Sequence, residues 1–329
     1  MRYLAFAALL VLVAPTAATA DDLSRFTILE ENDSLWFKSD QHYTQGAQFS
    51  ELTPDLAQGS VLAAPFILFD LLGDAPDSAR RYAVELGQSI FTPTDRFLVP
   101  PDPKDRPYAG WLYGGLHLLE DDQGRHLDHL ELDIGIVGPS AEGEQVQNGF
   151  HQFIGAQKFR GWVYQLQDRI GGVIAYDRSW HMKLIGNHSG VDLVPEIGAA
   201  GGNVFDYGEA GFLLRIGAGL SADYGPNRIR PGLSGTPYMD SNRFEGPWGG
   251  YFFIGAQGRA VWRNIFLDGT ESTSPHVDKI PLVGDLEAGL SVFHVRGFRI
   301  DIESMRRSLE YVGQPHPDVL CVVEIGWAW

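Results

Sequence analysis

Residues 318–329 read Asp-Val-Leu-Cys-Val-Val-Glu-Ile-Gly-Trp-Ala-Trp, and their reading decides the fold. In an extended chain successive side chains point to opposite faces. Cys321, Val323, Ile325, Trp327 and Trp329 therefore share one face, and Val322, Glu324, Gly326 and Ala328 share the other. An apolar, aromatic-ended face backed by small and polar residues suits a strand with lipid outside and a polar lumen inside. The same period of two recurs in Tyr82-Val84-Leu86 and in Leu130-Leu132-Ile134-Ile136. Soluble β-sandwiches alternate as well, so the pattern alone leaves a periplasmic β-protein open.

Working outward, strands are predicted at 25–32, 43–53, 80–91, 108–120, 127–138, 171–185, 190–202, 209–222, 249–266, 280–296, 297–310 and 318–329. Twelve is an even number, as a closed bacterial barrel requires, and the lengths suit tilted transmembrane strands. The fold class is thus an all-β, up-and-down antiparallel transmembrane barrel with a short helix in an extracellular loop. Trp111, Tyr113, Trp180, Tyr251 and Trp262 lie near segment ends and are candidates for interfacial girdles, with core packing as the alternative. Residues 223–248 form a long Pro/Gly-rich connection on the side where turns are expected to be short.

The first twenty residues read as a separate unit. Arg2, the apolar run from Leu4 to Pro15, and Ala18-Thr19-Ala20 make a secretory signal peptide, so 21–329 is the barrel domain. After Ala20 there is no apolar run of helix-spanning length. Residues 61–72 are apolar but broken by Pro65 and Asp70. They read as a buried loop segment, with a helix resting at the membrane interface as the alternative.

The chain has 42 acidic against 25 basic residues and a net charge of −17. Losing Arg2 with the leader takes it to −18. That balance excludes a nucleic-acid phosphate binder. One cysteine excludes an internal disulfide framework and a Cys-cluster zinc site. Alternation moves most of the acids to the lumen, turns and rim, and leaves Arg96 and Arg106 for phosphate groups.

No nucleophile elbow, H-E-x-x-H, P-loop, EF-hand or dinucleotide fingerprint occurs. His126 and His129 have metal-like spacing, but residues three apart face opposite ways on a strand. Polar residues do gather by topology. Asn32-Asp33 and Tyr43-Thr44 flank the first connection, Arg96, Asp105 and Arg106 lie in the third, and Gln147 and His151 in the fifth. With both termini on one side, all these connections share one rim.

After Pro139-Ser140, with Ser140 as N-cap, residues 144–154 are predicted helical, which puts Gln147 and His151 on one face. Asn32, Asp33 and Thr44 offer the hard oxygens calcium prefers, a divalent ion can polarise an ester carbonyl, and His151 can take a proton from water. The plainer alternative is that Asn32-Asp33 is a turn and His151 a solvated loop residue.

These residues sit in recognisable motifs: Glu31-Asn32-Asp33, Tyr43-Thr44-x-Gly46, Asp105-Arg106-Pro107-Tyr108-Ala109-Gly110, and Gly135-Ile136-Val137-Gly138-Pro139 with Gln147-Asn148-x-x-His151. Together with Gly161-Trp162, Pro195-Glu196 to Gly202-Asn203 and Phe266-Leu267-Asp268-Gly269, they resemble the outer-membrane lipid A 3′-O-deacylase family over nearly the whole mature chain. The resemblance implies an outer-membrane barrel acting on lipid A of lipopolysaccharide, with calcium-assisted hydrolysis of the 3′ acyloxyacyl ester. It implies Asn32, Asp33 and Thr44 for the calcium and oxyanion region, Gln147 and His151 as the catalytic pair, and Arg96 for a lipid A phosphate. One departure stands out: Gln157 occupies the place of a family glutamate, so that charge is missing or comes from another acid such as Asp168. A non-catalytic or transport barrel remains the competing expectation.

Overall fold

A computed structural model describes residues 23–34, 41–57, 59–73, 77–186, 189–232, 236–243 and 245–329. The expected leader, 1–20, lies outside them. The strands are β1 (Arg25–Asn32), β2 (His42–Leu52), β3 (Ala79–Thr92), β4 (Ala109–Asp121), β5 (His126–Val137), β6 (Arg169–Trp180), β7 (Met182–Gly186), β8 (Ser189–Gly202), β9 (Phe205–Ala218), β10 (Trp248–Asn264), β11 (Leu282–His294), β12 (Arg299–Arg307) and β13 (Asp318–Ala328). Only His181 separates β6 from β7, and both pair with β8, so they form one interrupted strand and the sheet has twelve staves. All pairings are antiparallel between sequence neighbours, and β1 pairs with β13 to close the ring. Closure removes the open edges that lipid cannot hydrogen-bond.

Parity sorts the side chains. On β13, Val322, Glu324 and Gly326 are buried while Ile325 and Trp327 are exposed. On β5, His129, Glu131 and Asp133 are buried while Leu132 and Ile134 face outward. His126 and His129 accordingly take opposite faces. The girdle expectation fails at Trp111, Tyr113 and Tyr251, which are buried. Their parity is that of His117 and Phe253 on the same strands, so they fill the lumen, whereas Trp262 is exposed.

The long connection is explained by the position of its described buried part, residues 222–229 and 236–239, inside the barrel. Arg228 pairs with Glu31, Glu287 and Glu303 on three staves. Arg230 pairs with Glu131 and Asp177 across the lumen. Asp223, near the connection's start, is held by Arg215 and Arg299. An acidic lumen thus receives a basic plug, and the passage is filled with paired charge.

Among the described residues there are three short α-helices: α1 (Ile67–Asp70), α2 (Gly143–Ile154) and α3 (Ile265–Asp268). α1 follows a 3-10 turn, Val61–Phe66, and the two pack on the barrel's outside. Phe66 and Phe69 are buried against Leu118, Tyr82, Leu130 and Tyr176. Val61, Leu62, Ile67, Leu68, Leu71 and Leu72 stay exposed. The buried-segment expectation therefore holds only for the two phenylalanines, and the remainder forms an apolar surface continuous with the lipid-facing belt.

Candidate active site on the lipid-facing side of the rim

The rim opposite the termini carries the connections β1–β2, β3–β4 and β5–β6. α2 lies in the last of these, and the chain reaches it through a tight turn. Gly138 has φ 109°, and a Cβ there would stand 2.7 Å from the backbone of the 167–168 segment. Ser140 does not cap the helix as expected. It sits in a 3-10 turn, Pro139–Ala141, where its N–H and hydroxyl donate to Asp168 at 2.8 and 2.6 Å. Glu142 occupies the N-cap position, and Asp168 serves the loop as a clamp.

α2 buries Gly143, Gln147 and His151 along one face, the shared face its spacing predicted. The helix docks on the outside of the wall. Gln88 and Ile90 have the outward parity of Leu86 on β3. Gln88 Nε2 donates to the Ala141 carbonyl at 2.7 Å. Ile90 is fully covered in a cluster with Tyr108, Phe159 and Trp162. Gly110 on β4 is required by this approach, since a Cβ would come 3.1 Å from that of Ala141.

His151 Nδ1 lies 2.7 Å from the Gln157 carbonyl, which can only accept, so Nδ1 carries the proton. In the neutral ring the lone pair is then on Nε2. Asn148 holds the segment that supplies this carbonyl: its side chain accepts from Phe159 N at 2.8 Å and donates to Phe159 O at 3.2 Å. Phe159 meets the His151 ring edge-on at 4.7 Å and carries the Arg96 guanidinium at 5.3 Å. Arg96 and His151 therefore flank one aromatic ring. Gln157 itself is exposed.

A second group lies on β1 and β2. Asn32 shares the outward parity of Ile28 and Glu30. Its Oδ1 accepts from Ser34 N and Oγ, both at 2.8 Å. Asp33 Oδ2 accepts from Gln41 N at 2.6 Å, and Asp33 N donates to Thr44 O at 3.4 Å. Thr44 sits at a register shift between Tyr43 and Gln45, with its hydroxyl 2.6 Å from that of Thr92. Asn32, Asp33 and Thr44 thus share one hairpin, beside the strand against which α2 packs.

Glu30 is a neighbour that motif reading passed over: it accepts from Asn32 and Gln45. Outward parity beside Ile28 was the available signal. Asp105 and Arg106 belong to the framework instead. Asp105 accepts from Thr94 N, Arg106 N and Tyr311 OH. Arg106 is fully buried, paired with Glu310 at 3.1 Å and stacked over Phe91, so it is not available for phosphate. Burial, and then the bond to Asp105, push the Tyr311 hydroxyl above its usual pKa, which keeps it a donor.

A family model described as outer membrane protein LpxR matches residues 4–329. The chain belongs to the LpxR family. Among solved structures, LpxR from Salmonella typhimurium aligns with a TM-score of 0.75 at 20% identity, covering 93% of this chain and 100% of that one. The β domain of the Bordetella autotransporter BrkA aligns with a TM-score of 0.43 at 8% identity, covering 93% and 97%. No curated protein matches. The LpxR likeness agrees with the closed twelve-stave barrel, and membership places this protein in the outer membrane.

Proposed function

We propose that this LpxR-family barrel is an outer-membrane esterase that removes the 3′-linked acyloxyacyl chain of lipid A, with His151 as the general base. The observation that carries the reading is the side of the wall on which the polar residues stand. Asn32, Gln147 and His151 stand on the outside of the wall, the last two beneath α2, and not in the plugged lumen. The proton on His151 Nδ1 leaves Nε2 to accept a proton from water, and Gln147, one turn earlier on the same face, orients that water or the ester. Arg96, held over Phe159, supplies positive charge for a lipid A phosphate.

The donor set fits calcium in kind. Asn32 and Thr44 bring neutral oxygens and Asp33 an anionic one, all hard ligands on one hairpin. When bound there, the ion would polarise the ester carbonyl and stabilise the oxyanion. Gln157 brings no negative charge, so the site leans on Asp33 for anionic character. A transport role is disfavoured by the lumen, which Arg228 and Arg230 fill with ion pairs.

Folded protein incubated with lipid A and calcium is expected to release the 3′ acyloxyacyl group, seen as a mass loss in the lipid. An unchanged lipid A mass would overturn the reading.

A further inference from the structure

We propose that His117, His129 and Glu131 form a binding site for a transition metal of the zinc class inside the barrel, fastening the plug to the wall. His117 is on β4, and His129 and Glu131 are on β5, all inward and all buried. His117 Nδ1 and His129 Nε2 are 2.8 Å apart. Glu131 Oε2 lies 3.7 Å from the first and 3.6 Å from the second. The point equidistant from three atoms so spaced is about 2.0 Å from each, the length of a zinc–imidazole or zinc–carboxylate bond.

The remote nitrogens are held as metal-site histidines usually are, by carboxylates. His129 Nδ1 is 3.1 Å from Asp177 Oδ2. His117 Nε2 is 2.9 Å from Glu85 Oε2, at contact distance though off the ideal hydrogen-bond angle. In the metal-free barrel the two near nitrogens share one N–H···N hydrogen bond at 2.8 Å. Loss of that one proton turns both lone pairs toward the same point, and Glu131 adds a third donor directed there. A cavity of about 20 Å³ beside these side chains has room for a water as fourth ligand.

The ligand set selects against the rim's ion. Two imidazoles and one carboxylate suit zinc, whereas calcium takes six to eight oxygens. The site also reaches the plug. Arg230 Nε donates to the same Glu131 oxygen at 2.7 Å, and the Arg230 guanidinium also pairs with Asp177. A metal would thereby fix the two carboxylates on which this plug arginine depends.

Cobalt is the probe. Metal-free folded barrel titrated with Co²⁺ should bind one ion with the visible absorption of tetrahedral cobalt, and Zn²⁺ should bleach it. The band should vanish in His117→Gln and His129→Gln, and persist in Asp33→Asn and His151→Ala, which alter only the rim. Heat-modifiable gel mobility checks that each variant closes its barrel. If a histidine variant fails to close, Glu131→Gln replaces it, and it should lose most of the band. A closed wild-type barrel with no such band, or a band untouched by these lumen substitutions, overturns the proposal.

Discussion

The 61–70 segment and α2 lie on the barrel's outer surface, at opposite rims, and they bury different things. The 61–70 segment buries only Phe66 and Phe69 of its own side chains, against Leu118, Tyr82, Leu130 and Tyr176, while Tyr82 OH donates to Leu62 O and Arg80 pairs with Asp70 at its edge. α2 turns Gly143, Gln147 and His151 to the wall. Docking a loop helix there needs no buried polar side chain from the helix itself, as Phe66 and Phe69 show. Polar groups under α2 therefore lie where a stable seal would use apolar ones, and exceptions of this kind concentrate at functional sites. The two segments also expose apolar residues in the same way: Leu71 is 78% and Phe153 86% exposed. They are alike toward lipid and differ only beneath.

The sharpest way to break the comparison is to remove the buried polar group from α2. His151→Ala should lower lipid A deacylation about 10²–10⁴-fold, the range for loss of a general base, with the barrel still heat-modifiable. Activity close to wild type would make the face under α2 as inert as the one under the 61–70 segment.

The opposite outcome is expected at the other rim. Phe66→Ala should cost about 3 kcal/mol of stability by leaving a cavity over Leu118, with deacylation per folded molecule unchanged. Denaturant unfolding in detergent measures the first quantity and a lipid A assay on the folded fraction the second. A catalytic defect at unchanged stability would undo the division of labour.

The proposed calcium ligands predict a smaller, reversible effect. Asp33→Asn removes the anionic oxygen that Asp33 brings and should raise the calcium concentration for half-maximal activity about 10-fold or more, while a chelator should silence wild type. Chelator-resistant cleavage would remove the ion from the mechanism. Zinc at the lumen histidines would leave this calcium curve in place, so the two ions are separable.

The barrel was legible because one physical asymmetry repeats along every stave. Leu130-Leu132-Ile134-Ile136 set against His129, Glu131 and Asp133 tells lipid from lumen without any structure. Aromatic identity misled where parity would not have: Trp111 and Tyr113 are in step with His117, which marks them as inward. The plug was illegible because connections carry no period and its partners are distant in sequence, Arg228 lying 197 residues from Glu31. In so acidic a chain, two arginines spaced to share a face were the trace it left. Of the site, the residue types and the Gln147–His151 face could be read from the chain. The side of the wall could have been read too, from Asn32 in step with Ile28. Arg106 could not, since its partner Glu310 arrives from another connection.

The smallest effect tests whether the two exposed apolar surfaces are as alike as they look. Phe153 belongs to the helix that holds His151, two residues further on, and on the proposed function a lipid approaching the site would pass this surface. Phe153→Ser should weaken lipid A use about 3- to 10-fold, chiefly as a higher KM, because one large apolar contact with a lipid contributes on the order of 1–2 kcal/mol. Leu71→Ser removes a comparable exposure at the opposite rim and should leave KM and kcat alone. Neither change should move stability by more than about 0.5 kcal/mol, since both side chains are mostly exposed. Equal losses in the two variants would mean that both surfaces serve general seating in the membrane. A loss confined to Phe153→Ser would make the exposed face of α2 part of the substrate's path and leave the 61–70 segment as an anchor alone.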